Sequence, residues 1–526
     1  MTFVAAGRFS PRIIVFLCVN TLLLTTFTLI RKPVHRPWTS TSQTLIPQEN
    51  DLDPWTNPPS QSLSSFPQEN YEHDDPPSLS LTNQHIASQH DSFTPEAPSE
   101  TASETSSEAP SGTPSHENKP PWQDFDRRCS VSPDPGDIVV VVKTGATEVF
   151  EKLPTHLMTV LNCAKDILIF SNMEHNIGPY HIYDSLANLP DSTKADEKFE
   201  LYRKIQEYQE AGQDVRELHT AGHSGWTLDK YKFLPMVEQT FQKRPDKEWY
   251  IFVETDTYLL WNNVLQWLER LDSSKPLYLG SVAFLGSNPF AHGGSGFILS
   301  RPAMERFVGR DRSEVKMHEE EEELRHSCCG DSVLANVLRE AGVEVSQRHP
   351  MINGETPVGM PFGPSHWCQP LMTMHHMKSQ EISDMWQYEQ ERADPSKLFL
   401  LKDLFDYSLK PFLTETLDDW HNRADDFQFY PPTYDGERHK EPNSEHMTEL
   451  QRVAWRSFED CGKACEEHVE CFQYVFEGDK CGLGRSFRLG EKRERDSDRS
   501  FKSGWNLERI NHFRTEHECE GPQWVD

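Results

Sequence analysis

The sequence predicts an α/β domain built around a mostly parallel sheet, and two features of the central part of the chain carry this prediction. First, short apolar runs rich in β-branched residues, such as Ile138-Val-Val-Val-Val142, show no alternation with polar residues. Such runs are typical of strands that are buried on both faces, as in parallel sheets. Second, these runs alternate with stretches of helical periodicity, which favours helical crossovers between parallel strands.

The expected elements can be assigned in chain order. We expect strands at residues 137–142, 166–170, 249–253, 276–280 and 296–300. We expect helices at residues 149–164, 195–210 and 332–341, and two more around the apolar sets Leu234, Val237, Phe241 and Val264, Leu265, Leu268, Leu271. Five consecutive glutamates at residues 319–323 are interpreted as a solvated loop. Residues 396–450 show weak periodicity and are interpreted as a connector.

The charge of the chain is acidic and unevenly distributed. The 526 residues include 52 Lys+Arg and 83 Asp+Glu, which gives a net charge of −31, and only 36% of the residues are hydrophobic. Residues 37–118 contain 13 acidic residues and no Lys or Arg. This balance argues against a nucleic-acid partner, because binding to phosphates needs concentrated positive charge. Residues 31–128, rich in Ser, Thr and Pro, are interpreted as a disordered stem.

An uncharged apolar stretch at residues 13–30 predicts a single transmembrane anchor. As a helix, its residues would span roughly 27 Å, enough for a bilayer core. A cleavable signal peptide is the alternative, but the stretch ends at Arg31-Lys32-Pro33 without a small-residue cleavage site. Basic residues flank both ends of the stretch, so the positive-inside rule leaves its orientation open. If the rest of the chain is lumenal, residues 1–12 are expected to be a cytoplasmic tail.

The cysteines favour an oxidising, lumenal compartment for the body of the chain. Cys18 lies in the apolar stretch, which leaves an even number of the 11 cysteines outside it. Four of these are Cys461, Cys465, Cys471 and Cys481. Their spacing lacks the paired pattern of zinc sites and suits two nested disulfides in a small domain. Cys328 and Cys329 also fit disulfides. Their candidate partners are Cys129, Cys163, Cys368 and Cys519.

Two short motifs are candidates for a binding site. The strand at residues 249–253 runs directly into Glu254-Thr255-Asp256, and open α/β sheets bind ligands at the carboxyl ends of their strands. Carboxylates there could hold Mg²⁺ or Mn²⁺ beside a diphosphate, although an acidic turn before a helix would have the same sequence. Further along, the glycines of His292-Gly-Gly-Ser-Gly296 could let the backbone approach a ligand or could form a tight turn.

Together with three further blocks, these motifs resemble glycosyltransferase family 31, the group of Fringe and core 1 β-1,3-galactosyltransferase. Residues 249–258 (WYIFVETDTY) are similar to its W-x4-D-D-D-T-Y block, and residues 292–303 to its G-G-[AS]-G-[YF]-x-L-S-x-x-A block. Residues 329–335 resemble its E-D-x-x-x-G region, residues 373–377 its F-H-x-V block, and Lys143-Thr144 the K-T pair at its nucleotide site. The resemblance extends from residue 137 to about residue 390.

The resemblance implies a GT-A fold over residues 129–395, a UDP-sugar donor, Mn²⁺, a glycan or glycoprotein acceptor, and inverting transfer by a single-pass type II Golgi membrane protein. It assigns Asp256 and His375 as metal ligands, with His376 as an alternative to His375. It assigns Asp331 as the general base, although Asp331 could instead be only the N-cap of the following helix. Residues expected at the donor are Lys143, Thr144, Glu254, Gly293 and Gly294.

Two departures from the family pattern bear on activity. The triple Asp of the family is Glu254-Thr255-Asp256 here, and its E-D pair is Gly330-Asp331. The preferred interpretation is β-1,3-galactosyltransferase-like transfer of a hexose to the 3-hydroxyl of a glycan. One alternative keeps the fold and changes the donor, as in the GlcNAc transfer of Fringe. The other is a catalytically silent, membrane-anchored protein that binds glycans.

The end of the chain resembles a second family. Residues 451–526 are similar to a PAN/apple module through Cys461-x3-Cys465, Cys471-Phe-Gln-Tyr474 and Ser503-Gly-Trp505. The combination with the preceding domain is interpreted as a fungal-type member of family 31. The resemblance implies a carbohydrate or protein ligand for this module, with a purely stabilising role as the alternative.

Overall fold

The computed structural model describes residues 134–220, 224–495 and 499–525. The first twelve strands are β1 (Ile138–Lys143), β2 (Ile167–Ser171), β3 (His175–Ile177), β4 (Tyr180–Asp184), β5 (Trp249–Glu254), β6 (Tyr258–Leu259), β7 (Tyr278–Gly280), β8 (Val282–Leu285), β9 (Asn288–Ala291), β10 (Phe297–Ser300), β11 (Val345–Gln347) and β12 (Thr373–Met374). The α-helices in this part are α1 (Val149–Met158), α2 (Asp191–Lys194), α3 (Glu200–Glu210), α4 (Ser224–Asp229), α5 (Phe233–Lys243), α6 (Trp261–Leu268), α7 (Arg301–Val308), α8 (Glu314–His326), α9 (Gly330–Glu340), α10 (Ser379–Glu391) and α11 (Leu401–Ser408).

Eight of these strands form one mixed sheet in the order β11-β7-β10-β5-β1-β2-β4-β3. The pairs β1–β2, β1–β5, β2–β4 and β7–β11 are parallel. Strand β10 is antiparallel to both of its neighbours, and the edge strand β3 is antiparallel to β4. The expected α/β fold with a mostly parallel sheet is therefore confirmed, and it fits a GT-A-like domain.

The central strand β1 shows why the apolar runs form a buried sheet. All six of its residues are buried. Val140 and Val142 belong to the core on one face of the sheet, together with residues of α1 and α6. Val139 and Val141 belong to the core on the other face, together with residues of α5 and α9. Because side chains alternate between the two faces of a strand, a run without polar residues is what burial on both faces requires.

Two expected elements differ from the structure. The helix expected over residues 149–164 ends at Met158, where the β-branched pair Thr159 and Val160 follows and the Thr159 backbone leaves the helical region. The loop expected at residues 319–323 is wrong, because these glutamates lie within α8. Glutamate favours helices, the Ser313 side chain caps the first turn by accepting from the Lys316 backbone N–H, and ion pairs to basic neighbours offset the repulsion.

The C-terminal part of the described chain is a second, antiparallel sheet with helices. Its strands are β13 (Thr416–Asp418), β14 (Trp420–His421), β15 (Phe427–Phe429), β16 (Gln473–Glu477), β17 (Lys480–Gly484), β18 (Glu491–Lys492) and β19 (Phe501–Trp505), and its α-helices are α12 (Glu449–Val453), α13 (Phe458–Glu467) and α14 (Leu507–Glu516). Five strands pair in the order β13-β19-β16-β17-β15. Residues 396–450 thus supply α11 and both edge strands of this sheet, so that segment folds with its neighbours.

The described disulfides follow part of the expected pattern. The Cys465–Cys471 bond lies within the sequence enclosed by Cys461–Cys481, so the two nested disulfides are confirmed. Cys368 is bonded to Cys519, which ties the loop before β12 to the end of the chain. Cys328 and Cys329 are bonded to each other, so the expectation that their partners lie among Cys129, Cys163, Cys368 and Cys519 is wrong.

The expected membrane anchor at residues 13–30 and the expected stem at residues 31–128 lie outside the described residues. Within the part of the chain that the structure describes, no helix has the length and apolar character needed to cross a bilayer.

Candidate functional site

The carboxyl ends of β1 and β5 form the floor of the site. These strands are parallel neighbours, and their register places Lys143 opposite Glu254. The chain leaves the sheet at the next residue of each strand, where the Thr255 hydroxyl donates to the Thr144 hydroxyl oxygen at 3.2 Å. Four residues that sequence motifs placed far apart are therefore adjacent at the edge where α/β sheets bind ligands.

A buried charge network holds Lys143 in this floor. Its ammonium group lies 3.0 Å from a carboxylate oxygen of Glu254 and also contacts the carboxylate of Asp229, which ends α4. Burial by itself would lower the pKa of Lys143, but the two carboxylates outweigh burial and raise that pKa. Burial raises the pKa of Glu254, and Lys143 opposes this shift. Lys143 is therefore a fixed positive charge, and the Glu254 carboxylate lies in direct contact with it.

Sequence reasoning missed Asp229 and Lys232, which complete this network. The Lys232 ammonium lies 3.3 Å from the Asp229 carboxylate and donates to the Thr144 carbonyl oxygen at 2.8 Å. Asp229 ends α4 and Lys232 lies between α4 and α5, so both are far in sequence from the strand ends. The only sequence signal for these two residues is the charged stretch Asp229-Lys-Tyr-Lys232, and such a stretch is typical of a solvated turn.

The pairing of β6 with β12 brings Asp256 and His375 together. In this short antiparallel ladder Met374 faces Tyr258, so the residues just beyond the ladder also face each other. The Met377 backbone N–H donates to the Asp256 carbonyl oxygen at 3.0 Å. The Nε2 atom of His375 then lies 3.3 Å from the Oδ1 atom of Asp256.

Asp256, His375 and His376 have the donor set of a cation site. Each offers one ligand atom, and these atoms lie within 4.8 Å of one another. The Oδ1 atom of Asp256 and the Nδ1 atom of His375 are buried but have no hydrogen-bond partner, which is unusual for buried polar atoms. Burial would raise the pKa of Asp256, but His375 and Lys152 outweigh burial and lower it, so the carboxylate is ionised. One carboxylate and imidazole nitrogens fit Mn²⁺ or another transition metal.

The glycine-rich loop after β9 packs directly onto this pair. A Cβ atom at Gly294 would lie 2.1 Å from the His375 ring, and one at Gly293 would lie 2.7 Å from the Phe233 ring. The Thr257 hydroxyl donates to the Gly294 carbonyl oxygen at 2.8 Å, which fixes the loop against the acidic motif. Both glycines are therefore required by close approach to side chains of the protein itself, a role that differs from the two expected ones, approach to a ligand and a tight turn.

Asp331 reaches the same loop from the first turn of α9. Its carboxylate accepts hydrogen bonds from the Gly293 backbone N–H at 2.8 Å and from the Ser332 backbone N–H at 2.9 Å. The N-cap of α9 is Cys329, so the alternative that Asp331 is only an N-cap is wrong. Burial raises the pKa of Asp331, and the hydrogen bond from Gly293 opposes part of this shift. The result is a buried carboxyl group that is a weaker acid than an exposed aspartate, so its carboxylate is a stronger base.

His292 is a third residue that sequence reasoning did not assign to the site. Its ring meets the His375 ring edge-on at a centroid distance of 5.5 Å. Its Nδ1 atom accepts from the Ser295 backbone N–H at 3.2 Å, which leaves the proton of the neutral ring on Nε2. Burial and then the charge of His375 lower the pKa of His292 to about 4, so the ring is neutral. His292 therefore offers a neutral N–H donor beside the candidate cation site.

The structure thus brings all eight expected site residues into one cluster: Lys143, Thr144, Glu254, Asp256, Gly293, Gly294, Asp331 and His375. Carboxylates and imidazoles converge at the carboxyl edge of an α/β sheet, beside a buried lysine. These features define a candidate active site of the class that α/β enzymes carry at the carboxyl ends of their strands.

Comparison with known families agrees with this class. Residues 134–355 match the family model described as Fringe-like. The matched range contains the whole eight-stranded sheet and every expected site residue except His375, which lies beyond it. Residues 134–355 are therefore similar to Fringe-like domains, and the match supports a glycosyltransferase of family 31.

Proposed function

We propose that this protein is an inverting glycosyltransferase that moves a hexose, preferably galactose, from a UDP-sugar to the 3-hydroxyl of an acceptor glycan. The observation that carries the proposal is the convergence of Asp256, His375 and Asp331 on the glycine loop at residues 293–294. A cation site and a candidate base that approach adjacent residues of one loop match the needs of a transfer from a charged diphosphate to a neutral hydroxyl.

Asp331 has the properties that the proposed general base requires. It accepts the proton of the acceptor hydroxyl while the hydroxyl oxygen attacks C1 of the donor sugar. The new bond between that oxygen and C1 forms as the bond between C1 and the diphosphate oxygen breaks, and UDP leaves with the electron pair. Burial weakens Asp331 as an acid and so strengthens it as a base, which supports this role.

The strand ends supply the proposed donor site. Lys143 is a fixed cation and suits the nucleotide diphosphate. Thr144 and Glu254 lie beside it at the strand ends, and Gly293 and Gly294 hold the neighbouring loop against Phe233 and His375. Asp256 and His375 would hold Mn²⁺, with His376 as a third donor. A divalent cation bound there would neutralise the charge that develops on the departing diphosphate.

We further propose a single-pass type II Golgi membrane protein with its catalytic domain in the lumen. The apolar stretch at residues 13–30 supports the anchor. The disulfides of the described residues support an oxidising compartment. The C-terminal sheet with its nested disulfides is proposed to be a PAN/apple-like module that binds carbohydrate or protein.

A donor panel tests the proposed reaction. The full-length chain, purified in mild detergent, is incubated with UDP-galactose, UDP-glucose, UDP-GlcNAc or UDP-GalNAc, with Mn²⁺ or EDTA, and UDP release is measured. We expect release from UDP-galactose above the other donors, dependent on Mn²⁺. Preference for UDP-GlcNAc would support the Fringe-like donor instead.

The silent glycan-binding alternative has its own expected outcome. It predicts no turnover of any donor, together with glycan binding that is unchanged in Asp256→Ala. The matched control is Asp394→Ala, which removes an exposed carboxylate of the loop after α10. Donor turnover that Asp256→Ala abolishes and Asp394→Ala preserves would exclude the silent alternative.

A further inference from the structure

We propose that a groove beside Asp331 binds the acceptor and that it is built for a neutral glycan. This inference rests on the proposed function and adds to it the class of acceptor. The groove has a volume of about 560 Å³, within the usual range for ligand clefts. Its lining includes Glu322 and Glu323 from α8, Ser332, Asn336 and Arg339 from α9, and Asn288 from β9.

The groove starts at the residue next to the candidate base. Ser332 and Asp331 are consecutive in the first turn of α9, so their side chains point about 100° apart. The side-chain amide of Asn288 donates to the Ser332 hydroxyl at 3.0 Å, and the Gly293 backbone N–H donates to Asp331 at 2.8 Å. The segment at residues 288–293 therefore contacts the groove through Asn288 and the candidate base through Gly293. A glycan lying in the groove against Ser332 would therefore lie one residue from Asp331 along α9.

The floor of the groove is a preorganised network of planar polar groups. The guanidinium of Arg339 donates to the Asn288 side-chain oxygen at 2.5 Å and to the Asn336 side-chain oxygen at 2.6 Å. The Asn336 amide in turn donates to the Glu323 carboxylate. Amide and carboxylate oxygens keep further lone pairs, and the guanidinium has five N–H donors. Fixed donors and acceptors of this kind suit the paired hydroxyls of a sugar ring.

The wall that α8 forms gives the groove a preference in charge. This helix carries six glutamates against one lysine and one arginine. Of the two glutamates that line the groove, Glu322 lies 3.4 Å from Arg325, and the other, Glu323, accepts from Asn336. Glu322 and Glu323 give the lining two negative charges against the one positive charge of Arg339, so a uronate, sialic acid or sulfate group is disfavoured relative to a neutral glycan. The glutamate run, which had no role in the proposed reaction, thereby selects against anionic acceptors.

Matched glycosides test the inference. The full-length chain is titrated with p-nitrophenyl β-galactoside, β-glucoside and β-glucuronide, and binding is measured by saturation-transfer NMR. The glucoside and the glucuronide differ only in the carboxylate at C6. We expect the neutral glycosides to bind at least tenfold more tightly than the glucuronide. The double variant Glu322→Gln/Glu323→Gln should reduce this preference to less than threefold.

A pair of neighbouring variants locates the binding. Arg339→Ala should weaken binding of the neutral glycosides at least fivefold while the KM for the UDP-sugar stays within twofold. Glu340→Ala is the control, because Glu340 is equally exposed at the end of α9 but lines a different cleft. Both side chains lie on the surface, so neither change should alter the circular dichroism spectrum.

Three results would overturn the acceptor groove: no binding of any neutral glycoside, equal binding of glucoside and glucuronide, or unchanged binding in Arg339→Ala. Failure of the reaction gives a different result. If the neutral glycosides bind in an Arg339-dependent way but no UDP-sugar turns over, the proposed transferase activity is wrong. The proposal that the groove binds a neutral glycan is then retained.

Discussion

The Nε2 atom of His375 lies 3.3 Å from the Oδ1 atom of Asp256, and the antiparallel pairing of β6 with β12 is what brings these atoms together. Both the Oδ1 atom of Asp256 and the Nδ1 atom of His375 are buried, and neither has a hydrogen-bond partner. Unsatisfied buried polar atoms cost stability, so their persistence here is explained if a cation completes the site.

Gly294 controls the position of His375. In Gly294→Ala the new methyl group would lie 2.1 Å from the His375 ring, which must move away from Asp256. We expect the affinity for Mn²⁺ to fall by about 10–100-fold, as for other residues that orient metal ligands. Titration calorimetry with Mn²⁺ measures this effect. Gly521→Ala is the control, since nothing lies within 4 Å of its added methyl group. Equal affinities in the two variants would contradict the proposed role of Gly294.

Removing the carboxylate of Asp331 should stop transfer without unfolding the protein. In Asp331→Asn the side-chain oxygen can still accept from the Gly293 backbone N–H, but it can no longer take a proton. We expect kcat to fall by about 10²–10⁴-fold, while the Kd for UDP is unchanged. Transfer assays and UDP titration measure the two quantities. A kcat within tenfold of the wild type would rule out Asp331 as the base.

The pH profile gives an independent check on Asp331. Only the carboxylate can act as a base, and burial raises its pKa above the ordinary value of 3.8. The wild-type kcat should therefore fall as the pH drops through this raised pKa. The residual rate of Asp331→Asn should lack that acidic limb. If the limb is the same in both proteins, another group is the base.

His366 makes the stability of the fold sensitive to acid. Burial, followed by the charges of His349 and Arg488, lowers the pKa of His366 from 6.5 to about 3. Between these values the unfolded chain binds more protons than the folded chain, so stability is complete above pH 6.5 and is lost as the pH falls towards 3. At pH 5 this loss is about 2 kcal/mol, from 1.36 kcal/mol per pKa unit. Thermal melts at pH 7.5 and pH 5 measure it.

Two variants test whether His366 causes this loss of stability in acid. His366→Met should show a smaller decrease in Tm between pH 7.5 and pH 5 than the wild type. His512→Met removes an exposed histidine and should behave like the wild type. Identical decreases in all three proteins would mean that His366 does not set the acid sensitivity.

The two kinds of disulfide should contribute unequally to stability. Cys461–Cys481 closes a loop with a sequence separation of 20, whereas Cys328–Cys329 joins adjacent residues and closes almost none. Replacing the first pair by alanine should cost about 3 kcal/mol through the larger entropy of the unfolded chain. Replacing the second pair by serine should cost much less. Urea denaturation of both double variants measures the difference, and equal losses would contradict this account.

Much of the fold could be predicted because apolar runs mark buried strands directly. The run at residues 137–142 and the strand β1 differ by a single position. The antiparallel direction of β10 could not be predicted, because the same apolar run fits a parallel and an antiparallel strand. The helix at residues 319–323 was missed because a run of glutamates has no apolar face to reveal its period.

The candidate site was predictable to the extent that it lies in linear motifs. Glu254 and Asp256 directly follow a strand, so their place at the sheet edge follows from the sequence. Asp229 could not be found this way, because only tertiary packing brings α4 to Lys143. The same holds for the groove, whose residues come from two helices and a hairpin.

The dependence of UDP release on Mn²⁺ in the wild type and in Asp256→Asn tests the central claim most directly. The full-length protein is first treated with EDTA and then titrated with Mn²⁺ in the presence of a UDP-sugar. We predict saturable activation of the wild type and none of Asp256→Asn, because the variant lacks the buried carboxylate that completes the site with His375. Full activity of the wild type in EDTA, or equal activation of both proteins, would contradict the claim.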